Sequence, residues 1–131
     1  MNPEIKKLAE SRLQRAQEAL KEGVILLERK SLPGAVNRLY YAAFYAARSL
    51  LATKELDSSK HSGVIALFHE HFVKTAQFDQ EKAKALSRSF EMRQDSDYED
   101  FVQVTHEEVL RIKQEVEKFI LECEKRLKGL L

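Results

Sequence analysis

The stretch Asn37-Arg38-Leu39-Tyr40-Tyr41-Ala42-Ala43-Phe44-Tyr45-Ala46-Ala47-Arg48-Ser49-Leu50-Leu51 leaves this chain few choices of fold. Its apolar residues show no alternation of period two, which argues against a half-buried strand. On a helical period Leu39, Ala43, Ala46 and Leu50, with Ala47 and Leu51, make one broad apolar surface, and Asn37, Tyr41 and Phe44 or Tyr45 adjoin it. The five alanines between Ala35 and Ala47 let neighbouring backbones come close, and the rings fill the volume between them. The stretch therefore reads as a central helix on which the others pack. Asn37, Arg38 and Arg48 then stand on or beside a mostly buried rod, where polar groups need partners or a function.

A chain of 131 residues is expected to form one domain, 1–131, large enough for a real core. With 33% charged residues and only four Gly and two Pro, neither disorder nor a strand-rich, loop-rich fold is indicated. The formal net charge of +1 supplies no overall attraction to nucleic acid or membrane, so any RNA must bind at a local patch. The single Cys123 excludes an internal disulfide and a cysteine-rich metal site, which suits a reducing cytoplasm. No signal peptide is visible, and the uncharged run Leu39 to Ala47 is far too short to span a bilayer.

Along the chain, Ile5, Leu8, Ala9, Leu13, Ala16, Leu20, Val24 and Leu27 recur at three and four and predict a first helix over 3–29. Gly23 in its interior either marks a close helix crossing or is incidental. Ser31-Leu32-Pro33-Gly34 is a break and a restart, so the central helix runs over 33–53 and forms an antiparallel hairpin with the first. Ser58 or Ser59 is the expected N-cap of a short third helix reaching Val73, with Val64, Ile65, Leu67, Phe68 and Phe72 as its apolar face. A fourth helix is predicted over 82–94, facing inward with Ala83, Leu86, Phe90 and Ala85. The segment 93–101 reads as an acidic turn. Thr105 and Glu108 form a capping box, with Val104 and Val109 as its hydrophobic staple, and open a last helix that ends near Lys128-Gly129. The sum is an all-α, up-and-down helical bundle of four long helices plus one shorter helix.

Metal chemistry has little support. His61, His69, His71 and His106 are the only histidines, and they form no His-Glu-x-x-His or paired Glu-x-x-His pattern. No cofactor is implied, since the glycines stand alone and make no phosphate loop. Two polar groupings remain. Asn37 and Tyr41 share a face of the central helix, flanked by Arg38 and Tyr45; as structure, these are core rings with hydroxyls at the surface and an arginine paired with a carboxylate. Arg93 and Tyr98 form the second. There Arg93 either pairs with Asp97, or binds a phosphate that Tyr98 orients or exchanges a proton with. A tyrosine of ordinary pKa, near 10, is a poor general base at neutral pH.

Asn37-Arg38-Leu39-Tyr40-Tyr41-Ala42-Ala43-Phe44, then Lys60-His61, then Arg93 with Asp97-Tyr98, resembles the HEPN domain, particularly its short stand-alone UPF0332 branch. The helix Ala16 to Leu27, the Phe68-x-x-x-Phe72 segment and the helix after Thr105 fit the same pattern, so the resemblance spans nearly the whole chain. It implies a four- or five-helix bundle, commonly a homodimer. Many such proteins pair with a small nucleotidyltransferase as toxin and antitoxin. Active members are metal-independent endoribonucleases whose motif is Arg, a short spacer, then His, with two copies meeting at the dimer interface. The Arg stabilises charge on the scissile phosphate; the His is acid or base for attack by the ribose 2′-OH, which leaves a cyclic phosphate.

Carried over, Arg93 takes the place of the motif arginine, and Tyr98 stands where the histidine belongs. A positioned imidazole is worth about 10²–10⁴-fold in rate. His61, beside Lys60, could substitute if the third helix packs near Arg93, whereas His106 lies too far along. Tyr98 is alternatively an acceptor of AMP from the nucleotidyltransferase partner. Asn37 carries over as the polar residue of the central helix, with Arg38 beside it. Three functions follow. One is a ribonuclease built on Arg93, Tyr98 and His61. Another is a non-catalytic protein that binds a nucleotide, RNA or a nucleotidyltransferase through the same groove, with Asn37, Arg38, Tyr41, Lys60 and Asp97 in contact. The third is a bundle with only a scaffolding role. A homodimer would set Arg93 near its two-fold axis.

Overall fold

A computed structural model describes residues 1–98 and 103–131, with the side chain of Tyr98 outside that description. Five α-helices follow one another: α1 (Pro3–Glu28), α2 (Leu32–Ala52), α3 (His61–Phe68), α4 (Gln80–Tyr98) and α5 (His106–Leu130). Among the described residues there is no strand, and no helix is long and apolar enough to cross a membrane.

The central position of α2 follows from its composition. It packs against α1, α3, α4 and α5, and Leu39, Ala43, Ala46, Ala47, Leu50 and Leu51 are all fully buried. Its closest companion is α1, which buries a line of small residues, Ala9, Ala16, Ala19 and Gly23, ending in Leu27. A Cβ on Gly23 would lie 3.0 Å from the Leu39 side chain and 3.3 Å from its backbone nitrogen, so this glycine does mark a close crossing. Leu8, expected inward, is instead 45% exposed, because the small-residue line rather than the larger aliphatics faces α2. The hairpin is antiparallel. Side-chain contacts join Ala9 to Ser49, Arg12 to Arg48, Arg15 to Tyr45 and Glu22 to Arg38, in opposite chain directions.

None of the three helix ends, those of α1, α2 and the segment that continues α3, uses glycine. Lys30, Glu55 and Ala76 take φ of 61°, 56° and 59°, and each is followed by an amide donating back across the last turn: Ser31 to Leu26, Leu56 to Leu51 and Gln77 to Phe72. These are Schellman-type closures in which a left-handed residue satisfies carbonyls the helix leaves free.

Ser58 and Ser59 do not cap α3. Lys60 occupies the N-cap position with extended backbone, and His61 is the first helical residue. Ser58 instead accepts the Lys60 N–H at 3.2 Å, tucked against the first turn where a Cβ on Gly63 would collide with it. The α-helical part ends at Phe68 and continues as a π-helical segment, His69–Val73. In that widened turn the His71 carbonyl accepts from Lys54 Nζ at 2.7 Å and Thr75 Oγ1 at 2.8 Å.

The start of α4 is set by Asp79, whose carboxylate accepts from the backbone N–H of Glu81 at 2.8 Å and of Lys82 at 3.1 Å. Its end overturns the expected turn over 93–98, since the helix runs on to Tyr98. The rest of that expected turn, 99–101, lies outside the described residues. The capping box on α5 is present: Thr105 Oγ1 accepts the Glu108 N–H at 3.1 Å, and Glu108 accepts from Thr105 N–H at 3.2 Å. Such a cap stabilises a helix by about 1 kcal/mol. Val109, Ile112, Val116, Phe119, Ile120 and Cys123 are buried from α5, as their spacing required.

Candidate functional site

The polar face of α2 meets α3 and α4 around one phenol. Tyr40 is fully buried, and its hydroxyl shares a 2.5 Å hydrogen bond with His61 Nδ1 at the start of α3. Asp57 holds the loop that delivers His61. Arg48 donates to its two oxygens at 3.2 and 2.8 Å, and Arg12 donates to it at 3.3 Å. The hydrogen bond from Arg48 keeps the Asp57 carboxyl below the ordinary carboxylate range, against a smaller opposing effect of burial. The His61 ring stacks on Phe44 with centroids 4.6 Å apart and lies nearly parallel to Phe90 at 6.3 Å.

Arg93 reaches the same phenol from α4. Its guanidinium carbon stands 5.3 Å from the Tyr40 ring centre and 5.2 Å from that of Tyr41. Nε lies 3.3 Å from Asp97 Oδ2 one turn on, but at an angle that makes no hydrogen bond, and this buried nitrogen has no other partner among the described residues. Arg93 therefore does pair with Asp97, within a continuous helix rather than across a turn.

These placements decide protonation. Burial lowers the pKa of His61, and the nearby charges of Arg93 and Arg48 lower it further, so the ring is neutral at pH 7. Burial pushes the Tyr40 phenol up, with Arg93 opposing, and it stays protonated. Imidazole is the better acceptor and phenol the better donor, so in the neutral state Tyr40 donates to Nδ1. A hydroxyl also accepts, so the same contact can hold an Nδ1–H.

Among the residues singled out from sequence, Arg93, His61 and Tyr41 come together around Tyr40. Asn37 and Arg38 lie alongside: Arg38 donates from Nε and Nη2 to Asn37 Oδ1 at 3.2 and 3.1 Å. Its guanidinium carbon is 5.1 Å from the Tyr41 ring centre, and its Nη1 is 3.6 Å from Glu22 Oε1. Lys60 is exposed, and its side chain makes no hydrogen bond or ion pair among the described residues. Tyr98 ends α4, its side chain outside the described part. His106 begins α5 as an exposed residue. Sequence reasoning did not name Tyr40 or Asp57 as site residues, read Phe44 and Phe90 only as packing, and marked Arg48 only as a polar group in need of a partner. One signal was present: Asn37, Tyr40 or Tyr41, Phe44 or Tyr45, and Arg48 recur at helical spacing along one side of α2.

A further concavity lies away from this cluster. A trough of about 640 Å³ runs between the α3–π segment and α4, floored by Ile65, Phe68, Leu86 and Phe90. It touches the cluster only through Phe90, and none of Tyr40, His61 and Arg93 lines it. Among the described residues no three His, Cys, Asp or Glu side chains converge as a metal site.

Fold and cluster together define an all-α bundle that gathers an arginine, a neutral imidazole and a phenol at the meeting of three helices. The HEPN domain profile matches residues 9–126, and the chain belongs to that family. It is 40% identical over 127 residues to a Thermotoga maritima protein named "UPF0332 protein", covering 97% of this chain and 96% of the other. Two Methanocaldococcus jannaschii relatives bear toxin names. "Putative toxin MJ0605" is 34% identical over 131 residues, covering 100% and 97% of the two chains. "Putative toxin MJ0142" is 33% identical over 103 residues, covering 79% and 70%.

Proposed function

We propose that this protein is a metal-independent endoribonuclease of toxin type in which His61, not a residue following Arg93, is the acid–base group. The observation that supports this reading is the shared environment of His61 and Arg93 around the Tyr40 ring, 5.6 Å and 5.3 Å from its centre. Cleavage by internal transesterification needs a base for the 2′-OH, an acid for the departing 5′-oxygen and a cation for the charge that grows on phosphorus oxygens. A shift of the neutral ring to the tautomer whose Nδ1–H donates to the Tyr40 hydroxyl frees the lone pair of Nε2, which takes the 2′ proton. The 2′-oxygen bonds to phosphorus, the 5′-oxygen leaves and the imidazolium returns a proton to it. The products are a 2′,3′-cyclic phosphate and a 5′-hydroxyl. An imidazolium close to two guanidinium groups gives up its proton readily, which favours the second half of the exchange. Arg93 is the cation for the phosphate, and Asn37, Arg38 and Tyr41 flank the bound strand.

The same reading includes a homodimer with Arg93 near its two-fold axis and a nucleotidyltransferase antitoxin as partner; the toxin names of two relatives support the toxin–antitoxin setting alone. Structured RNA incubated with the protein in EDTA tests the chemistry. Wild type should leave cyclic phosphate ends, while Arg93→Ala and His61→Gln each lose about 10²-fold or more. Equal background from all three proteins would leave only a binding role through the same residues. Light scattering at micromolar concentration tests the dimer, and a monomer would overturn that part.

A further inference from the structure

We propose that the α1–α2 face beside the cluster is a track for single-stranded RNA, on which Arg15 is the outer contact and Tyr45 its brace. This rests on the ribonuclease reading above and adds where the strand runs on either side of the reacting phosphate. Tyr45 and Tyr41 of α2 and His61 of α3 form an unbroken line of rings. Tyr45 lies 5.8 Å from Tyr41, and Tyr41 lies 5.8 Å from His61, measured between ring centres. Arginines from three helices stand over this line. Arg15 is 4.4 Å from the Tyr45 centre, Arg38 is 5.1 Å from Tyr41, and Arg93 is 5.2 Å from Tyr41 on the inner side.

The arginines differ in how their charge is met. Arg12 and Arg48 share Asp57, Arg38 has Glu22, and Arg93 has Asp97. Arg15 has no carboxylate within ion-pair distance among the described residues; its Nη2 donates to the Tyr45 hydroxyl at 3.1 Å. The tyrosine holds one side of the guanidinium and leaves the exposed remainder to solvent, a planar cation fixed in place yet not neutralised. Such a group meets both demands of a single strand, a phosphate to pair with and a base face to stack on. Duplex RNA keeps its bases stacked inside and offers only the first. The Glu22 carboxylate beside Arg38 is more than half exposed, so a phosphate there displaces it at small cost.

The test is binding of a fluorescent, fully 2′-O-methylated single-stranded RNA of about twelve nucleotides, which has no free 2′-OH and cannot be cut. Anisotropy is read across a salt series. Each phosphate contact to a single strand contributes about 0.7 to the slope of log affinity against log salt, which between 1 M and 50 mM is about eight-fold in affinity. Arg15→Gln should lower the slope by about 0.7 and weaken binding at 50 mM by about eight-fold. Tyr45→Ala should weaken binding, and Tyr45→Phe, which keeps the ring under Arg15 but loses the hydroxyl that holds Nη2, should fall between Tyr45→Ala and wild type. Lys118→Gln, an exposed change on α5, should alter neither quantity. The track is overturned if Arg15→Gln and Tyr45→Ala bind as wild type does, if wild type does not bind the strand, or if it binds a duplex of equal length equally well. The ribonuclease reading fails separately: no cleavage of ordinary RNA, with Arg15-dependent binding of the methylated strand intact, would remove the enzyme and keep the track.

Discussion

Tyr40→Phe removes one oxygen from the interior, and its effect follows from the 2.5 Å contact with His61. Tyr40 is fully buried, and its hydroxyl has no partner besides His61 among the described residues, so no other bond replaces the lost one. A neutral hydrogen bond of this kind contributes about 1 kcal/mol net, and an unpaired Nδ1 on a ring that is only partly buried adds a fraction of the full desolvation penalty. The expected loss is therefore about 1–2 kcal/mol, roughly 3–8 °C in Tm for a chain of this size. Urea unfolding followed by far-UV circular dichroism measures it. A double-mutant cycle with His61→Phe isolates the pair, because replacing both partners by apolar rings leaves neither polar atom unsatisfied. The double variant should recover about 1 kcal/mol relative to the sum of the single losses. Titration of His61 by NMR supplies an independent check. If Tyr40 donates to Nδ1, it favours the neutral ring, and Tyr40→Phe must raise the His61 pKa toward its ordinary value. Additive single losses together with an unchanged His61 pKa would refute the assigned hydrogen bond.

Burial and the charges of Arg93 and Arg48 hold the folded-state pKa of His61 below its ordinary 6.5, so as pH falls the unfolded chain takes up this proton first. The stability contribution is present in full above about pH 7 and is lost as pH drops through the window below it; between pH 7 and 5, wild type should lose stability that His61→Phe retains. Parallel pH profiles for the two proteins would show that His61 is not held neutral by the fold. Ala76, at φ 59°, pays a left-handed penalty that glycine avoids. Ala76→Gly should stabilise the protein by about 0.5–1 kcal/mol after the added freedom of the unfolded chain is subtracted, and a lower Tm would contradict the closure described for this segment.

Local signals and long-range placement divide cleanly in this protein. The apolar period of α5 and its Thr105–Glu108 box, the Pro33 restart and the broad apolar surface of α2 were legible, because each rests on residues within a turn or two of one another. The end of α4 was not. Asp95, Ser96 and Asp97 have weak helix propensity and read as a turn, yet the helix carries through them to Tyr98. The start of α3 was misread for a related reason: Ser58 has the chemistry of a cap, but the backbone places it under the first turn, where Gly63 leaves room.

The sequence by itself determined that α2 is the buried axis of a helical bundle and that an arginine on a later helix has no histidine after its short spacer. Which imidazole stands nearest that arginine was decided only in three dimensions. His61 and Arg93 lie on separate helices with one break in the chain between them, and they meet because a π-helical segment and the Asp57 ion pairs set the path of α3 against α4. The physical reason is that helical period reports which face of a segment is apolar, while the partner of a polar group depends on how separate helices cross. Tyr40 shows the difference: the alanine-rich stretch around it was legible as a buried rod, whereas its own complete burial and its bond to His61 were not.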